Sequence, residues 1–134
     1  MIISSTLLIG ILFGCIAPIG VQHSKDSNFE TGNHTVIVVQ NPISLADILV
    51  QVPGVVVTRN FDQVSISIRG GTPLYVIDGL RIGHSYNEAL ELVNVFDIEY
   101  VEVIKGASES AIYGPGSGHG VIRIVTKGAS EIEG

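Results

Sequence analysis

The chain has 134 residues, enough for one domain with little to spare. At 46% hydrophobic and 15% charged residues it can build a packed core, which excludes a disordered tail. Thirteen Asp and Glu against seven Lys and Arg give a formal charge of −6. That leaves no basic stripe for a phosphate backbone, so nucleic acid is excluded as a partner.

The first charged residue is Lys25, and Ile2–Ile16 are almost wholly apolar. The only cysteine, Cys15, rules out an internal disulfide framework and any multi-cysteine metal site. An apolar run ending in small residues reads as a secretory leader. Its end, "LFGC" (Leu12–Cys15), resembles the lipobox of bacterial lipoproteins. The resemblance implies a leader over 1–14 that is removed, a lipidated Cys15, and a linker over 15–34. The alternative is a retained membrane helix, for which about 20 apolar residues suffice. Gly14, Pro18 and Gly20 count against it. Under either reading the rest of the chain is exported.

The packed part is expected over 35–128, with a tail over 129–134. Thr35–Val39 is β-branched throughout and predicts a strand, broken by Asn41-Pro42. Ser44 then caps a helix whose apolar residues Leu45, Ile48, Leu49 and Val52 share one face. Pro53-Gly54 ends that helix. "VVVTR" and "VSISIRG" follow as strands separated by the loop Asn60–Gln63. In the second, Val64, Ile66 and Ile68 alternate with polar residues, as in a half-buried strand. Asp78-Gly79 supplies the positive φ values of a two-residue hairpin turn between Tyr75–Ile77 and Leu80–Ile82. Tyr86–Asn94 reads as a short helix and Tyr100–Ile104 as a strand. A helical turn capped by Ser108 and a last strand within "GVIRIVTKG" complete the set. Strands outnumber helices and no long repeat is visible, so the expected fold is α+β, a small mixed sheet with short helices.

Chemistry is hard to find. "GPGSGHG", Gly114–Gly120, lacks the Lys of a phosphate-binding loop and the spacing of a nucleotide-binding or nucleophile turn. The histidines His23, His34, His84 and His119 show no metal-ligand spacing. Asp97, Glu99 and Glu102 have no nucleophile or histidine nearby in sequence and read as a solvated face. No catalytic residue, metal or cofactor is expected. The basic residues Arg69, Arg81, Lys105 and Arg123 are candidate partner contacts, since guanidinium groups hold carboxylates in bidentate fashion. Ordinary surface pairing is the plainer reading of them. Two loops could instead bind a ligand, through His84, Ser85 and Tyr86 and through Ser117 and His119.

The order of the segments carries more than any single one. "PGV", "IRG", "YVIDG", "DIEYVEVIKG", "AIYG" and "GVIRIVTKG" follow one another over about Thr35–Gly128. This ordered set resembles the plug domain of TonB-dependent outer-membrane receptors, in particular the SusC-type plugs of Bacteroidota. The resemblance implies a small mixed-sheet domain seated in a barrel of roughly 22 strands. In that family TonB pulls on an N-terminal box to clear the pore, and apical loops help to bind substrate. By position Arg69 matches the arginine of the IRG motif and Lys105 the basic residue of the KG motif, residues that tend to face carboxylates of the barrel wall. "HTVIVVQ" looks like a box that TonB would bind by strand addition, but its closeness to Ser44 favours a core strand.

The chain runs only to Gly134, too short for the barrel strands of about 9–11 residues each. The expectation is therefore a stand-alone plug-like lipoprotein, lipid-anchored at the outer membrane on its periplasmic face. It would assist uptake through contacts with a separate barrel or receptor, with TonB as an open partner. A periplasmic ligand- or peptide-binding module, or a truncated receptor remnant, are the alternatives.

Overall fold

A computed structural model describes residues 29–130. The leader, Cys15 and most of the expected linker lie outside the described residues. So does most of the expected tail.

Eight strands form two sheets. Strands β1 (Phe29–Thr31), β2 (His34–Val38), β5 (Leu74–Ile77), β6 (Leu80–Gly83), β7 (Ile98–Ile104) and β8 (Val121–Thr126) make one sheet. Its order is β1-β2-β7-β8-β5-β6. Its neighbours are antiparallel except β5 and β8, which run parallel. That parallel pair sits inside the sheet, and both strands are largely buried on both faces, as such pairs require, with Arg123 the charged exception on β8. Strands β3 (Val55–Asn60) and β4 (Gln63–Ile68) pair only with each other as a detached hairpin.

The main core lies between one face of the large sheet and a layer made of this hairpin and two helices. Helix α1 (Leu45–Leu49) contributes Leu45, Ile48 and Leu49, and the turn after it adds Val52. Helix α2 (Tyr86–Leu92) contributes Tyr86 and Ala89, followed by Val93. The hairpin contributes Ile66 and Ile68, and the sheet Ile37, Tyr75, Val101, Val103, Ile122 and Ile124. Helices this short have no stability of their own, so packing and caps hold them in place. Ser44 Oγ accepts from the Asp47 amide at 3.1 Å, the cap expected from the sequence. On the sheet's other face Leu74, Val76, Ile104 and Val121 form a smaller cluster closed by Tyr113.

The Asp78-Gly79 hairpin forms as expected, with φ of 48° and 83° and Ile77 paired with Leu80. Beyond closing the turn, the Asp78 carboxylate accepts from the Thr126 amide at 2.8 Å and its hydroxyl at 2.9 Å, tying the turn to the end of β8.

Three features differ from the sequence reading. The sheet begins at Phe29, within the polar stretch read as linker, because β1 completes a ladder on the free edge of β2. Strand β7 begins at Ile98 rather than Tyr100, with an irregular register between Ile98 and Tyr100. Helix α3 (Ala107–Ser110) is capped by Gly106, not Ser108, which lies inside the helix. The stretch that looked like a TonB box is a core strand, since β2 is paired on one side with β1 and on the other with β7. No helix among the described residues is long and apolar enough to cross a membrane.

Candidate functional site

The end of β4 sets the geometry of an open concave surface. Ile68 and Gly71 exchange two backbone hydrogen bonds, of 2.9 and 3.0 Å, around the tight turn Arg69-Gly70. Both turn residues have positive φ, 52° and 79°. For Gly70 this is free, but for Arg69 it costs about 1–2 kcal/mol. The strained position throws the Arg69 side chain outward, where Nη1 donates to the Lys105 carbonyl at 2.9 Å.

Lys105 follows β7 directly. Its amide donates to the Asn33 carbonyl at 2.7 Å, and its Nζ donates to the Pro53 carbonyl at 3.1 Å. Four pieces of chain thus meet: the β1–β2 turn, the Pro53-Gly54 turn, the end of β4 and the start of α3. They enclose a cleft of about 640 Å³ with Arg69, Lys105, Ser108 and Glu109 on its walls. Neither Arg69 nor Lys105 forms an ion pair among the described residues. Each bonds a carbonyl and keeps donors to spare.

The other two cations are engaged differently. Arg123 on β8 lies opposite Glu102 of β7 in register and reaches its Oε2 at 3.3 Å. Arg123 Nη1 also donates to the Tyr100 hydroxyl at 3.0 Å. The guanidinium lies over the Tyr100 ring, 5.8 Å from its centre. The second Glu102 oxygen meets His34 Nδ1 at 3.0 Å. With side chains only 23% and 16% exposed, Arg123 and Glu102 satisfy each other inside the fold. Burial works against the Arg123 charge, and the bonds to Glu102 and Tyr100 more than offset it, raising its pKa. Arg81 on β6 donates to the Pro115 carbonyl and grips the glycine-rich loop. Of the four candidate contact residues, only Arg69 and Lys105 are brought together at one exposed cleft.

The five loop candidates are largely used by the fold itself. His84 Nδ1 donates to the Pro73 carbonyl at 3.0 Å, and its Nε2 edge packs on Gly116, where a Cβ would lie 2.8 Å away. The His119 ring occupies the space that a side chain at Gly71 would need. Each histidine therefore closes over a glycine, and among the described residues no group of three metal-ligating side chains forms. Ser85 caps α2, accepting from the Glu88 amide at 3.3 Å. Ser117 is buried and donates to the Gly114 carbonyl at 2.8 Å. Tyr86, read both as the inward-facing start of a helix and as a loop contact for a ligand, is a core residue of α2, edge-on to Tyr75 at 6.5 Å. Burial raises the pKa of its phenol, partly opposed by a backbone hydrogen bond with Ala46.

Two residues of this picture escaped the sequence reading. Glu102 appeared as part of a solvated acidic face, although the register with Arg123 makes it an internal counter-ion. Glu109 drew no attention, although it shares the cleft with both cations.

A family model for the TonB-dependent receptor plug domain matches residues 27–121. The chain belongs to this family, whose plug domains are structural, non-catalytic modules. It is 45% identical over 73 residues to the TonB-dependent receptor SusC of Bacteroides thetaiotaomicron, a match covering 46% of the chain and 7% of SusC. The ferric aerobactin receptor of Klebsiella pneumoniae is 36% identical over 93 residues, covering 66% of the chain and 12% of that receptor. The chain thus spans a small fraction of these relatives. Among solved structures, the ferric enterobactin receptor PfeA of Pseudomonas aeruginosa, in complex with enterobactin, superposes with a TM-score of 0.58 at 26% identity. That likeness covers 73% of the chain and 18% of the receptor.

Proposed function

We propose that the chain works as a plug module in outer-membrane uptake, acting by contact with a β-barrel, and that the cleft between Arg69 and Lys105 is the docking surface. The observation carrying this reading is the pair of adjacent cations that no carboxylate of the described residues neutralises. A carboxylate from a barrel wall would complete hydrogen bonds that the carbonyls of Lys105 and Pro53 only begin. The strained turn at Arg69 fits the same purpose, since backbone strain of this kind persists where a side chain must be held in one direction.

The "LFGC" segment supports the further part of this reading, that a lipid on Cys15 holds the module at the outer membrane as an accessory to uptake. A photo-reactive residue at position 108, on the wall of the cleft, tests the docking. In intact envelopes it should cross-link to a barrel strand, and Arg69→Ala with Lys105→Ala should abolish that adduct. An adduct that survives the double substitution, or none with any barrel, refutes the reading.

A further inference from the structure

The glycine of the "KG" pair, Gly106, has φ −73° and ψ 133°, a conformation open to any residue. Its backbone therefore does not explain why it is glycine. The space beside it is taken by a side chain: a Cβ there would coincide with the movable Glu109 carboxylate and lie 3.0 Å from the Asn33 Cβ. Gly106 is a seat, and the carboxylate folded into it belongs to a residue lining the same cleft as Arg69 and Lys105.

We propose that Glu109 is a built-in competitor for the docking cleft: its carboxylate is seated in the cleft it shares with Arg69 and Lys105 when no partner is bound, and gives way to the partner's carboxylate. This rests on the docking reading of the cleft. Glu109 forms no ion pair with Arg69 or Lys105 among the described residues, so it lines their cleft and leaves the site open to another carboxylate. It is exposed and joined by a flexible side chain, so it can swing out. A negative group in the same cleft disfavours the entry of chance anions. Only a partner whose carboxylate is aimed by the rest of an interface outcompetes it.

A plainer role is available to Glu109. It is the third residue of α3 after its cap, from which a Glu or Gln side chain can reach back to the cap residue. Glu109→Gln separates the two, because glutamine can still make that contact but carries no charge. The full chain in detergent would be titrated with a hexaglutamate peptide, followed by the amide shifts of Gly54, Arg69 and Lys105. Glu109→Gln should bind about two- to fivefold more tightly than the wild type, the range of an exposed ion pair. Gly106→Ala, which evicts the carboxylate from its seat, should shift affinity the same way. Glu91→Gln on α2 removes the same charge elsewhere and should change nothing. Equal or weaker binding by Glu109→Gln, or an equal gain from Glu91→Gln, overturns the proposal while leaving the docking cleft in place. If Arg69→Ala with Lys105→Ala binds the peptide as the wild type does, the cleft reading fails and this one with it.

Discussion

Substituting alanine at two glycines of one loop should give very different results. Gly120 leads into β8 with φ 120°, and a Cβ there would lie 2.8 Å from the Ile104 carbonyl of β7 and 3.3 Å from Ile68. The backbone strain alone costs on the order of 1–3 kcal/mol for an L-residue. The contact with the Ile104 carbonyl, held where the β7 ladders to β2 and β8 end, adds about 1–3 kcal/mol, as overpacking does. Gly118, two residues earlier, has neither a positive φ nor any atom within 4 Å of an added Cβ. Gly120→Ala should therefore lose about 2–6 kcal/mol and Gly118→Ala well under ~1 kcal/mol. For a domain whose whole stability is on the order of 5–15 kcal/mol, the first is a large fraction. Urea unfolding followed by circular dichroism measures both, since the chain has no tryptophan to report by fluorescence. A loss at Gly120 below ~1 kcal/mol, or equal losses at both positions, would refute the steric argument.

Asp47 offers a test by titration. The hydrogen bond from Ser44 first, and then that from Arg59, hold its pKa below 3.8. Its contribution to stability is therefore full above the unfolded value and is lost as pH falls through the lower folded value. In carbon-detected NMR titration Ser44→Ala should move the Asp47 midpoint up toward 3.8, and by more than Arg59→Ala does; an unmoved midpoint would contradict the assignment. Replacing Cys15 by Ser should release the protein from the membrane fraction, and continued membrane association would remove the lipid anchor from the proposed function.

Much of the fold was legible where a local signal had only one structural solution. Asp78-Gly79 between apolar runs admits a tight turn with two positive φ values, and that turn formed. Ser44 three residues before Asp47 likewise admits a cap, and its hydroxyl occupies it. The parts that could not be read depend on partners distant in sequence. The alternation in "VSISIRG" shows which residues of β4 are buried, but not that β4 joins a separate hairpin instead of the main sheet. The parallel pairing of β5 with β8 joins segments more than forty residues apart, and nothing local encodes it. Strand β1 is short and polar in sequence, and exists because β2 offers an edge.

The four basic residues show the same limit in the site. By residue type Arg69 and Arg123 were equal candidates, and only the register separates them. Glu102 stands opposite Arg123 and consumes its charge, whereas Arg69 sits on a turn where the nearest acceptor is a carbonyl. Glu109 is a subtler case, because its role turns on where a helix starts. Were Ser108 the cap, Glu109 would be the first helical residue and its side chain would have no seat to fold back into. With the cap at Gly106, Glu109 becomes the third residue, and its carboxylate lands where a side chain at position 106 would otherwise be. A shift of two residues in a helix boundary thus changes a solvated glutamate into a charge lining the cleft of Arg69 and Lys105. Boundaries are the weakest part of any sequence reading. For that reason the cation pair could be suspected from the sequence, while the carboxylate set against it required the structure.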